Sequence, residues 1–510
     1  RTAPIEGIRD NGTGYHALVG ARAVTSPGQS IDNATIVIRN GMIQSVERGG
    51  SAPAGARVWD LEGLTVYAGF IDSHADLGMD QVPEGGDVGP THWNPQVRAW
   101  FSTTANLQDD EDRRQALRSQ GFGTALVVPK QGIFRGTASV VNLGDTGVRD
   151  RILRPDVAQS IGFQRSFELG GRYPNSAMGT IALMKQTFMD ADWYMRAWGA
   201  YEASGRAFLP PETSAALEAL ESAVQGQQPV IFETRSEEEY LRGQILAEDF
   251  GLDAWYRGNG QEYRIIDVLG ENPEPLFVPL DFPDAPDVDN PEAAMNASLA
   301  ELRHWYLAPT NAGQLADAGI DFAITSDGLT SVGDFLPNLR TAVARGLSPD
   351  DALAAITTTP ARYLGIEGTH GTIAAGNVAN LVVAEGDLFT QEVDVRDVWV
   401  HGTVYGVTRA AQIDPRGTWV IQSEDQWGFQ AQLTLEGTMN RLSGYIDVAP
   451  GANVDEGVRV EIASASVVSE TGRLEVTFDG EELGYEGTAL LAGSVSGEDF
   501  YGWTSLPNGA

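Results

Sequence analysis

The sequence predicts an α/β protein: a (β/α)8 TIM barrel flanked by a small β-sandwich built from both ends of the barrel, plus a C-terminal antiparallel β domain. Three observations predict it. Apolar strand-like segments alternate with helical ones between residues 65 and 360, the sequence on both sides of that region returns to short strands, and a last run of strands with Gly and Asp turns begins near residue 412. A chain of 510 residues also has room for about three domains at ~150 residues each.

The opening segment, residues 1–64, reads as short strands: YHALVGARAV, ATIVIRNGMIQSVERG hinged at the Asn40-Gly41 turn, and RVWDLEG. The barrel region, 65–360, supplies eight candidate strands: GFIDSHA, TALVVP, ASVVNL, DVAQSIGF, PVIFET, YRIIDVLG, LFVPLDF and DFAITSD. Between them, DEDRRQALRSQ, MGTIALMKQTFMDADWYMRAWGAYEAS, PETSAALEALESAVQG and EEEYLRGQILAEDFG carry apolar residues at helical spacing. Residues 361–411 return to strands that complete the opening layer, and 412–510 read as an antiparallel barrel or sandwich of up to eight strands. The Pro- and Asp-rich stretch 282–294 is expected to cover one mouth of the barrel.

Composition narrows function. With 34 basic and 70 acidic residues the net charge is −36, which argues against nucleic acid as a partner because phosphate binding requires a basic surface. Only Lys130 and Lys185 are lysines, a pattern that suits a saline habitat, where salt screens the self-repulsion of an acidic surface. The absence of Cys excludes disulfides, thiolate zinc sites and cysteine nucleophiles. No apolar run reaches the ~20 residues of a membrane span, and a start at Arg1 fits a processed chain, so a periplasmic or secreted location is expected. Sequons stand at Asn11, Asn33 and Asn296 and would matter only in a eukaryotic secretory pathway.

ARVWDLEGLTVYAGFIDSHADLG, ITSDGL and TTTPARYLGIEGTHGTIAAGNVANLVVAEGDLF, taken in order, resemble the metal-dependent amidohydrolase superfamily, in particular its imidazolonepropionase-like branch, over roughly residues 15–410. The resemblance implies hydrolysis of C–N bonds, amide or peptide-like, at the C-terminal ends of the strands. There a divalent ion lowers the pKa of bound water to about 7 while a carboxylate takes its proton. It also implies two His on the first strand, one His on each of the fifth and sixth, and an Asp on the eighth.

This sequence departs from that pattern at most positions. His74 holds the first place on strand one, but Asp76 holds the second; Glu233 stands at the strand-five position; Asp267 or Leu269 falls near the strand-six position; Asp327 matches strand eight. A set of His74, Asp76, Glu233 and Asp327 is oxygen-rich and suits a harder ion such as Mn, Mg or Ca better than a His-rich centre for Zn would, if it holds one divalent metal, Zn included, at all. Without one the carboxylates need a positive partner, and Arg235, two residues beyond Glu233, is the expected counter-ion. Asp327 and His304 are the candidate catalytic groups, with His304 expected on a loop before the eighth strand or packed beside Trp305. His92 and Lys130 have weaker claims, and Lys185 reads as a solvated helix residue.

Two functions follow from the resemblance. One is an active amidohydrolase on a small amide or peptide-like substrate, using one divalent metal. The other is a catalytically silent amidohydrolase-like subunit, metal-free, that supports a second, complete amidohydrolase module. An oligomer is expected in either case.

Overall fold

The computed structural model describes residues 14–79, 91–167, 169–170, 173–271, 273–287, 295, 297–390, 393–407, 415–422, 430–438, 441–449, 457–468, 473–483, 486–496 and 499–505. The sequons at Asn11 and Asn296 and the second half of the 282–294 stretch lie outside the described residues. The chain forms two compact units. One holds residues up to Thr390 with Asp397–Val407, and the other holds Gln391–Arg396 with Thr408–Ala510.

The first unit opens with β1 (Tyr15–Ser26), β2 (Gln29–Arg39), β3 (Met42–Arg48), β4 (Arg57–Asp60) and β5 (Thr65–Ala68). β1 is long and bulged. One edge pairs with β2, while the other pairs first with β4 and then with β5, so the sheet bends around a shared core. The turn at Asn40-Gly41, both at positive φ, joins β2 to β3 as the sequence requires.

The barrel follows: β6 (Phe70–Ala75), β7 (Phe122–Val127), β8 (Phe134–Asn142), β9 (Ile152–Gly162), β10 (Val230–Glu233), β11 (Ala254–Arg257), β12 (Leu276–Pro279) and β13 (Ala323–Thr325), hydrogen-bonded in that order. Seven of the eight expected segments supply strands. YRIIDVLG does not: Ile266–Glu271 is helical, and the sixth strand is Ala254–Arg257. A short run of β-branched residues fits either element, and here the neighbouring strands selected the more aromatic segment. β8 also runs antiparallel to both β7 and β9, so one of the eight strands is reversed.

β13 meets β6 through side chains. Ser73 Oγ donates to the Ile324 carbonyl (2.9 Å), Thr325 Oγ1 donates to Asp72 Oδ1 (2.8 Å), and the Ser326 amide and hydroxyl also donate to Asp72. Asp72 is wholly buried, and burial raises its pKa against the lowering effect of those hydrogen bonds. Ile71, Leu126, Val140, Ile231, Trp255 and Phe277 pack with Ala361 and Leu364 into a continuous core.

Helices cover the barrel where their spacing predicts: Glu111–Ser119, Ala177–Ala203 and Glu237–Phe250, the last two started by Ser176 and Ser236 side-chain caps. PETSAALEALESAVQG forms only two single turns, Ala215–Glu218 and Glu221–Val224.

β14 (Leu381–Ala384), β15 (Val395–Val400) and β16 (Thr403–Gly406) return to the first sheet, β14 pairing with β5, so strands from both flanks form one eight-stranded sheet. Its core joins Leu18, Ile36, Val66, Leu381 and Trp399. Asn380 ties this sheet to the barrel, donating to Thr124 Oγ1 (3.1 Å) and accepting from the His401 amide (2.8 Å).

The second unit is an antiparallel meander of seven described strands, β17 (Gly417–Gln422), β18 (Gln430–Thr438), β19 (Arg441–Val448), β20 (Val458–Val468), β21 (Arg473–Asp479), β22 (Thr488–Ser496) and β23 (Asp499–Ser505). Leu433, Leu435, Ile446, Val476 and Leu491 form its core. No helix among the described residues is long and apolar enough to cross a membrane.

Candidate functional site

At one mouth of the barrel the chain gathers six ionisable side chains, His74, Lys130, Arg135, Glu233, Arg257 and Asp327. His74, from β6, is wholly buried. Its Nε2 lies 3.3 Å from Glu233 Oε1 and its Nδ1 lies 3.6 Å from Asp327 Oδ2, and neither ring nitrogen makes an aligned hydrogen bond. Glu233 ends β10 and Asp327 follows β13, so three separate strands place one imidazole between two carboxylates.

Each carboxylate is also held by cations of the chain. Arg135, on the reversed strand β8, pairs with Glu233 Oε2, and Ser160 Oγ donates to Glu233 Oε1 (3.1 Å). Asp327 pairs with Lys130 through Oδ1 and with Arg257 through Oδ2, the latter at 2.8 Å. Arg257 ends β11 and lies level with Glu233 on β10. Burial pushes the Glu233 carboxyl up, but Arg135 foremost, with His74 and Lys130, outweighs it and holds the group well below the ordinary carboxylate range. Burial likewise raises Asp327; His74, Arg257 and Lys130 overcome that and bring it down to about 2.

Two glycines make room for the guanidinium groups. A Cβ at Gly162, level with Glu233 on β9, would lie 2.1 Å from Arg135 Nη2. One at Gly328 would lie 2.9 Å from Arg257 Nη2. Both arginines are further anchored on backbone carbonyls, Arg135 Nε on Gly132 (3.1 Å), Arg257 Nη1 on Gly258 (2.8 Å) and Nη2 on Asp327 (3.1 Å).

The structure thus brings together His74, Glu233 and Asp327 from the expected set, and corrects their surroundings. Arg235 is not the counter-ion of Glu233. The strand ends at Glu233 and the chain turns toward the Ser236 cap, leaving Arg235 exposed with its amide on Glu239 Oε2 (2.8 Å). Asp267 and Leu269 lie on a helix, away from any strand position, and Arg257 stands at the end of the true sixth strand. Lys130, a weak candidate by sequence, is in the cluster. Asp76 follows β6 at a half-buried position where Arg113 Nε donates to its backbone carbonyl (3.3 Å).

His304 is on a helix, Leu299–Leu307, because Ser298 and Glu301 form a capping box that starts one there. Its Nδ1 is 3.2 Å from the Tyr263 hydroxyl, and burial, with Arg264 nearby, lowers its pKa. Together with Asn259, Asp281 and Asn338 it lines a cavity of about 680 Å³. His92 is engaged locally, accepting from the Asn94 amide (3.1 Å). Lys185 pairs with Asp249 at 2.6 Å on the surface.

Arg135, Arg257 and the placement of Lys130 escape sequence reasoning. The signal available was a charged residue inside an otherwise apolar strand, FRGTASVV and AWYRG, because a guanidinium there must find an anion.

A divalent ion does not fit this donor set. Among the described residues no three His, Asp or Glu side chains are arranged to hold one. The two carboxylates nearest His74 already face three cations, and each unit charge brought to 4 Å of another of like sign costs roughly 4 kcal/mol at an effective dielectric of about 20.

Residues 310–413 match the amidohydrolase family. Amidohydrolase tasK of Hapsidospora irregularis is 22% identical over 404 residues, which cover 72% of this chain and 39% of that protein. Adenine deaminase 2 of Jannaschia sp. (strain CCS1) is 35% identical over 112 residues, 20% of this chain and 17% of that one. The chain therefore spans about two fifths or less of these curated relatives. Among solved structures, an amidohydrolase from Thermotoga maritima MSB8 shares the fold, with a TM-score of 0.63 and 21% identity over 76% of this chain and 98% of that chain.

Proposed function

Because the chain is an amidohydrolase-superfamily protein, we propose that it is a non-hydrolytic member, a barrel module that supports a complete amidohydrolase module as a structural or regulatory partner. The imidazolonepropionase-like branch is its proposed place within the superfamily, on the motifs around His74 and Asp327. One observation carries the functional reading: the two carboxylates beside His74 are ion-paired to Lys130, Arg135 and Arg257. These side chains fix charge and shape at the barrel mouth, whereas catalysis of hydrolysis requires a group free to activate water and accept its proton.

Glu233 and Asp327 have strongly depressed proton affinities, which makes them poor bases at neutral pH. His74 is shut away from solvent between them. The alternative, metal-assisted hydrolysis of amide or peptide-like bonds, requires the cations to leave the mouth.

The test pairs metal analysis with turnover. The purified chain, equilibrated with Zn, Mn or Co and freed of excess, is expected to retain no stoichiometric metal and to leave N-acyl amino acids and dipeptides intact. One equivalent of bound metal, with turnover that His74→Ala abolishes, would overturn the proposal.

A further inference from the structure

We infer that the cavity beside the charged mouth, lined by His304, Asn259, Asn338 and Asp281, is a binding site for a small organic ammonium ion. Binding there requires no bond to be made or broken, so the site stands whether or not the barrel hydrolyses anything.

The cavity, about 680 Å³, has the size of a small-molecule site. Its walls come from the segments after three successive barrel strands: Asn259 follows β11, Asp281 follows β12, and Leu329 and Thr330 follow β13. It adjoins the mouth cluster at Gly328, where a Cβ would lie 2.9 Å from Arg257 Nη2 and 3.6 Å from Asp281 Cβ. The helix Leu299–Leu307 is exposed along its length except at His304 and Leu307, which puts His304 on its inward side.

Three polar groups are held by one atom and leave another for a ligand. His304 Nδ1 is 3.2 Å from the Tyr263 hydroxyl, and its Nε2 has no hydrogen bond among the described residues. Asn338 Nδ2 donates to the Leu280 carbonyl (2.7 Å), which fixes the amide and leaves Oδ1 as an acceptor. Asn259 Oδ1 accepts from the Gln261 amide (3.0 Å), and its Nδ2 is buried without a partner.

The carboxylates set the sign of the ligand's charge. Among the described residues Asp281, Asp284 and Asp334 make no ion pair, and no Lys or Arg lines the cavity. Burial raises the Asp281 pKa, Arg257 opposes it, and Asp284 and Asp327 raise it further. Arg257 is itself committed to Asp327. Each mouth carboxylate thus has its own arginine, and the cavity carboxylates have none. An ammonium group supplies the missing charge together with three N–H donors, while Phe282, Pro283 and Leu329 give an apolar wall for a short alkyl chain. A bare metal ion does not fit, because no three His, Asp or Glu among the described residues are arranged to hold one.

The full chain is titrated by calorimetry at fixed ionic strength with putrescine, a free diamine, and with alanyl-alanine amide, a peptide amino end. Butanediol serves as the uncharged counterpart of putrescine. The variants are Asp281→Asn/Asp334→Asn, His304→Ala and, as a charge control, Glu461→Gln, an exposed carboxylate of the second unit. Wild type is expected to bind at least one of the two amines at a single site, the tighter one identifying its source, and to ignore butanediol. The double variant should bind at least about tenfold more weakly, and Glu461→Gln as wild type does.

Binding of neither amine by wild type overturns the inference, as does equal binding of butanediol or an unchanged affinity in the folded double variant. An equal loss in Glu461→Gln also overturns it, since attraction to the acidic surface at large would then explain the binding. Asp281 and Asp334 are exposed, so the double variant should fold. If it does not, His304→Ala decides, with a smaller loss of affinity expected and no loss sinking the idea.

Discussion

Two ionic clusters of the barrel unit both bury their arginines but differ in where their carboxylates lie. On the outer side Arg114, Arg118 and Arg151 are buried, while their partners Asp109, Glu111 and Asp145 are about half exposed. At the mouth the carboxylates are inside, Glu233 and Asp327 being 13% and 11% exposed, and Lys130 is the most exposed of the cations.

The outer arginines also donate to backbone, Arg118 to the Leu143 carbonyl (2.6 Å) and Arg114 to the Gly144 carbonyl (2.8 Å). Arg118 lies 4.3 Å from the centre of the Tyr405 ring. Each outer carboxylate can fall back on water if its partner is lost. A mouth carboxylate has no such recourse, so its cation is structurally obligatory. Ion pairs of the same chemical type therefore carry unequal consequences.

The largest expected effect is Arg135→Ala. It leaves Glu233 buried without its main counter-charge and should cost about 3–5 kcal/mol in denaturant unfolding; a loss no larger than that of an outer carboxylate variant would erase the contrast between the clusters.

Acid sharpens it next. Asp327 has a folded pKa of about 2, below its unfolded value near 4, so its contribution is complete above about pH 4 and is lost as pH falls through about 2. On the order of 2 kcal/mol should disappear in that window, and Asp327→Asn should flatten this limb of a stability-versus-pH curve.

Gly162→Ala comes third. The added methyl meets the Arg135 guanidinium, and displacing it should cost about 1–2 kcal/mol, measured by thermal melting. Asp145→Asn is the smallest. As an exposed partner of Arg114 and Arg118 it should change stability by less than about 1 kcal/mol. Moreover, the difference from wild type should shrink in high salt, whereas the Arg135→Ala deficit should persist.

Most of the fold was legible before any coordinates. Alternation of apolar and polar residues marked every described strand of the second unit, and the Asn40-Gly41 turn placed the first hairpin, because turn chemistry and side-chain period are local properties. YRIIDVLG was misread since a strand and a short helix bury such a run equally well, and only neighbouring strands choose between them. The reversed direction of β8 had no local signature either. Strand polarity is a property of the connections around it.

The site divides in the same way. The positions of His74, Glu233 and Asp327 near the ends of the first, fifth and eighth barrel strands follow from the sequence, because the motifs around them mark those strands. Their partners do not. Arg235 is near Glu233 along the chain and faces solvent, while Arg135 is nearly a hundred residues away and touches it. Sequence by itself determined most of the strands, the long helices and the acidic residues of the mouth, all of which depend on short-range pattern. Tertiary structure alone decided which cations neutralise that mouth, since Coulomb attraction acts through space and takes no account of separation along the chain.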